Sequence, residues 1–117
     1  MKPVLLSLSL AASAVFLASA GLAAGMLADA KGMTLYTFDK DTKGVSTCYD
    51  ACAKFWPPYL ATKGEKPMGE GWTMVKRKDG TEQWAYDGKP LYFFAKDMKA
   101  GEAMGDGMKG VWHVVKE

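Results

Sequence analysis

Histidine occurs once and cysteine twice in this chain of 117 residues, and those two scarcities set aside several chemistries at the outset. With His113 as the sole imidazole, spacing supports neither a Ser-His-Asp nor a Cys-His relay. In the run "VWHVV", alternation places His113 with Val111 and Val115, opposite Trp112 and Val114, where a histidine reads as packing or surface. Charge of one sign is also missing as a block. The 15 basic and 13 acidic side chains are interspersed, the pattern of a solvated surface, and nothing points to nucleic acid or an acidic membrane surface as partner. Beyond the first twenty residues no apolar run approaches the roughly 18 residues of a spanning helix, so no transmembrane segment is expected in the mature chain.

What is present begins with Lys2, an apolar run from Val4 to Leu17, and the small residues Ala18, Ser19 and Ala20. This pattern predicts a signal peptide over 1–20, with Ala24 a weaker cleavage point. No cysteine follows at the place where a lipoprotein would carry its acyl chain, so the expectation is a protein exported to the periplasm or the medium and not lipid-anchored. The remainder, 21–117, suffices for one small domain.

Turn signals recur about every ten residues between aromatic and β-branched runs, which predicts strands. Asp79-Gly80 and Asp87-Gly88 supply the positive φ angles of tight hairpins. The stretch "STCYDACAKFWPP" departs from this pattern. Thr47 and Asp50 resemble a capping box, and Pro57-Pro58 is a stop, so a short helix is expected from about Cys48 to Phe55. The fold class is mainly β, a small antiparallel domain with one short helix.

Two stretches are nearly alike, "LYTFDKD" and "LYFFAKD". Tyr36, Phe38 and Asp41 each recur fifty-six residues later as Tyr92, Phe94 and Asp97, and Gly32 recurs as Gly88. Two related units, about 26–62 and 70–117, are therefore expected, with Leu on one face of each motif strand and Tyr plus Phe on the other. The aromatics would pack a core and the carboxylates would accept backbone N–H groups in the following turn. The sharper possibility is a ligand cleft made of both motifs. The stiff corner Trp56, Pro57, Pro58 and Tyr59 is the candidate surface patch for binding.

Taken together, "LADAKGMTLYTFDKDTKGVSTCYDACAKFWPPYLA" and "YDGKPLYFFAKD" with "GDGMKGVWHVV" resemble the bacterial secreted or lipoprotein repeat family of unknown function named for its Y-x-(F/W/Y)-x-x-D motif. The resemblance covers nearly all of the mature chain. It implies export and assigns no activity, and the chain differs from lipoprotein members in lacking an acylated cysteine.

Cys48 and Cys52 form an even pair in an exported chain, which favours a disulfide. The reading that follows is a non-catalytic binding or structural module of the envelope, with no cofactor and an envelope or extracellular partner. The alternative is thiol redox or copper handling. It would use Cys48 and Cys52 as thiolates, with Met98, Met104 and Met108 from a Gly-rich loop and His113, a soft ligand set suited to Cu(I).

Overall fold

The computed structural model describes residues 21–23 and 25–116, and the expected export segment, 1–20, lies outside the described residues, as does Ala24. Frequent glycine and Asx turns keep every strand short. In chain order they are β1 (Gly21–Ala23), β2 (Met26–Ala28), β3 (Tyr36–Phe38), helix α1 (Ala51–Phe55), β4 (Trp72–Lys76), β5 (Glu82–Tyr86), β6 (Lys89–Pro90), a one-turn 3₁₀ segment (Met108–Gly110) and β7 (Trp112–Val114). All the pairings are antiparallel: β1 with β2, β3 with β7, and β4, β5 and β6 in that order. Among the described residues the protein is thus mainly antiparallel β with one short helix, the fold class expected from the sequence. At the β5–β6 hairpin, Asp87 and Gly88 have φ of 52° and 79°, the left-handed pair such a two-residue turn requires.

The motif strands lie side by side at the centre of the molecule. Tyr36 and Tyr92 exchange both backbone hydrogen bonds, at 2.8 and 2.9 Å. On its outer side each motif is flanked by the end of the other unit. Tyr36 pairs with Val114 and Phe38 with Trp112, while Tyr92 bridges to Pro58. The N–H of Asp39 donates to the carbonyl of Val111, and that of Ala95 to the carbonyl of Phe55, each at 2.8 Å. Every partner here has its counterpart fifty-six residues away, so an approximate two-fold axis passes between Tyr36 and Tyr92. Neither motif strand is completed by its own unit.

Side-chain alternation then separates two cores. Leu27, Leu35, Trp84 and Leu91 fill one face, and Tyr36, Cys48, Trp56, Tyr92, Phe94, Trp112 and Val114 fill the other. This is the Leu-versus-Tyr/Phe division expected of the motif strands.

The helix is shorter than expected, because Asp41 competes for the residue that was to cap it. The Asp41 Oδ1 accepts both the backbone N–H of Thr47, at 2.8 Å, and its hydroxyl, at 2.6 Å. Thr47 is thereby held in the turn that follows Asp41, ahead of the helix. Asp50 takes the N-cap position with φ 54° and no side-chain cap bond. Cys48 consequently precedes the helix, buried, instead of sitting in its first turn.

Candidate functional site

Aromatic rings from both units form one column. Phe38 stacks on Trp112, Trp112 on Trp56 and Trp56 on Phe94, with centroid separations of 4.1, 3.9 and 4.3 Å. The two indoles at its centre are 2° from parallel. Tyr36 meets Trp56 edge-on, and Tyr92 meets Trp112 in the same way, both at 5.2 Å. The column obeys the two-fold relation, since Phe38 corresponds to Phe94 and Trp56 to Trp112. Gly105 closes against it so tightly that a Cβ there would lie 2.5 Å from the Trp56 ring.

The motif's polar atoms are exchanged between units. Tyr36 donates its hydroxyl to Asp97 Oδ2 at 2.6 Å, and Tyr92 donates to Asp41 Oδ2 at 2.7 Å. Each carboxylate keeps its other oxygen for the loop that follows it: Asp41 for Thr47, and Asp97 for the N–H of Met104 at 2.8 Å. The loop glycines repeat the exchange in backbone form. Gly44 donates to the carbonyl of Gly88, and Gly101 to that of Gly32. Burial, and then the hydrogen bond to Asp97, push the Tyr36 phenol well above its ordinary range. Burial pushes Tyr92 in the same direction, with the Ser46 hydrogen bond opposing it. Both phenols therefore stay protonated and act as donors.

Around Tyr92 the network extends to a buried cation. The Arg77 guanidinium, 6 % exposed, donates to Ser46 Oγ, Gln83 Oε1 and the carbonyl of Cys48, each at 2.9 Å, and lies 4.1 Å from the centre of the Tyr49 ring. Because Tyr92 donates to Asp41, the Ser46 hydroxyl must donate to Tyr92, at 2.5 Å. The chain Arg77, Ser46, Tyr92, Asp41 thus connects a buried positive group to a carboxylate through oriented donors, the arrangement a buried charge requires.

Cys48 and Cys52 are joined by a disulfide, with Cα atoms 5.3 Å apart. Neither sulfur is a thiolate in this state. Met98 and Met104 are exposed, and His113 Nε2 lies 2.8 Å from Asp39 Oδ2 at the surface. Among the described residues, no group of three or more His, Cys, Asp or Glu side chains converges as metal ligands would. The Gly-rich loop bearing these methionines is held in place, for the N–H groups of Met104, Gly105 and Gly107 donate to Asp97, Tyr36 and the Trp112 carbonyl. The proposed surface corner is also different from expectation. Trp56 is 6 % exposed at the centre of the column, because its two-fold mate Trp112 covers one face and Phe94 the other, while Pro57, Pro58 and Tyr59 are partly exposed.

Along one side the column lies under a cleft of about 510 Å³, which opens to solvent at partly exposed Phe38 and exposed Phe55 while Trp56, Trp112 and Phe94 stay buried at its floor. Phe38 and Phe94, Trp56 and Trp112, Phe55 and Val111, Cys52 and Met108 line it in pairs, each fifty-six residues apart. The rim carries Lys40, Lys96 and Lys109, and no acidic side chain contributes to the lining among the described residues. Phe55 is 54 % exposed at this opening. A second depression, of about 370 Å³, is lined by mixed charges including Asp39, Asp41, Lys43 and Asp87. The first falls within the size range usual for small-molecule sites and has their mainly apolar character.

Sequence reasoning found the motif residues but not Trp112 as the mate of Trp56, nor the paired lysines. The signal was available, since Trp56 and Trp112 share the motif's spacing and Lys40 and Lys96 stand one residue before Asp41 and Asp97. Comparison with curated proteins and with solved structures yields no match. A family model matches over two stretches, residues 23–59 and 73–116, each containing one Tyr-Phe-Asp motif and one tryptophan of the central stack, and the chain therefore belongs to the family described as a secreted repeat of unknown function.

Proposed function

We propose that the protein is an exported, non-catalytic binding module whose two units jointly form one apolar ligand cleft. The observation that carries this reading is the position of the cleft on the two-fold axis, lined by equivalent residues of both units. Binding suits the site better than catalysis because the motif's ionisable groups, Asp41, Asp97, Tyr36 and Tyr92, are all engaged in hydrogen bonds that hold the two units together. The family's description as secreted and the oxidised cysteine pair support an extracytoplasmic location. Both cysteines are bonded to each other, which supports a protein without an acyl anchor, in the periplasm or the medium.

Tryptophan fluorescence tests the reading directly, because the floor of the cleft contains Trp56 and Trp112. Titration with the neutral dye N-phenylnaphthylamine is expected to quench this emission saturably. Phe55→Asp, which places a carboxylate at an exposed position of the opening, is expected to abolish the response without lowering Tm. Binding that survives Phe55→Asp unchanged would remove the cleft from consideration.

A further inference from the structure

The rim of the cleft is more selective than its floor. Lys40 and Lys96 occupy the same motif position in the two units and both line the same opening, with Lys109 as a third cation from the 3₁₀ segment. Among the described residues, the single ion pair is His113 with Asp39, so no salt bridge neutralises these ammonium groups. Among the described residues no carboxylate lines the cleft to compensate them. Cations placed beside low-dielectric apolar walls focus their field into the opening, where a matching anion gains charge-assisted hydrogen bonds. The floor offers the opposite chemistry, with aromatic rings and the apolar side chains of Phe55, Val111 and Met108.

We infer that the ligand is a soluble amphiphilic anion, an apolar body bearing one carboxylate or sulfonate-like head, with the body on the aromatic floor and the head between Lys40 and Lys96. This rests on the reading of the cleft as a ligand site. It excludes cationic hydrophobes, which the rim repels.

A matched pair of dyes separates the two claims. Anilinonaphthalene sulfonate carries an anionic group on the skeleton of N-phenylnaphthylamine. The anionic dye is expected to bind about tenfold more tightly at low salt, and added NaCl should erode the advantage. The double variant Lys40→Gln/Lys96→Gln should bring the anionic dye's affinity down to that of the neutral dye, erasing the preference. The control pair Lys63→Gln/Lys66→Gln, on the exposed connection between the units, should leave it intact. Dodecanoate should displace the anionic dye, and dodecyltrimethylammonium should not. Equal affinity for the two dyes, or an equal loss in the control pair, overturns the anion assignment while the cleft reading stands. Failure of both dyes to bind overturns the cleft reading itself. Sedimentation with phosphatidylglycerol vesicles, without competition by dodecanoate, would make the target a membrane surface and overturn the soluble ligand.

Discussion

Tyr36 contributes its ring to one unit's side of the core and its hydroxyl to the other unit's carboxylate. Tyr36→Phe keeps the ring and leaves both Asp97 Oδ2 and the N–H of Gly105 without this partner. The expected cost is about 1–3 kcal/mol of unfolding free energy, measurable by urea denaturation. The same phenols set an alkaline limit. Their folded pKa values are raised above the ordinary 10.0, so the unfolded chain releases these protons first as pH climbs. Their contribution to stability is complete below about pH 10 and is lost progressively above it. Denaturation midpoints measured from neutral to strongly alkaline pH should show that fall, and Tyr36→Phe should make it shallower. Gly105 is constrained by space, since a methyl group there collides with the Trp56 ring. Gly105→Ala is expected to lose about 1–3 kcal/mol and to alter the near-ultraviolet circular dichroism of the stacked indoles.

At the scale of elements, the strands and hairpins were legible in the sequence because their signals are local. Asp87-Gly88 specifies its own turn, and the Leu-Tyr-x-Phe alternation assigns each side chain to a face. The partner of each motif strand was not legible. Local periodicity gives no information that Tyr36 lies beside Val114, at the far end of the chain, while Tyr92 lies beside Pro58. The neighbours of the two tryptophans also differ, Trp-Pro-Pro against Trp-His-Val, which obscures the equivalence of Trp56 and Trp112. The start of the helix was not legible for a related reason, because Thr47 is tied to Asp41 of the preceding turn. The apolar cleft follows from the column, and the column exists only after both exchanges have been made. The disulfide secures the loop entering α1, where it works with Arg77. Its small loop places the stabilisation near the low end of about 2–4 kcal/mol. Reduction should therefore lower Tm without abolishing the fold, as differential scanning calorimetry with and without reductant would show.

At the scale of the whole molecule, each unit supplies what the other lacks: an outer strand, a carboxylate and half of the aromatic column. Residues 63–67, between the units, are exposed, and Glu65 bonds only locally, to Thr62. Nothing in that arrangement requires the two units to belong to one polypeptide. The chain is consequently predisposed to domain swapping, in which two molecules trade halves and rebuild the same interfaces between different chains. Deleting 63–66 should bring this out by denying the halves the reach to close on each other. Size-exclusion chromatography would then detect a dimer whose circular dichroism matches that of the monomer. Connection length would thereby act as a valve between a closed monomer and an intertwined pair carrying two complete clefts.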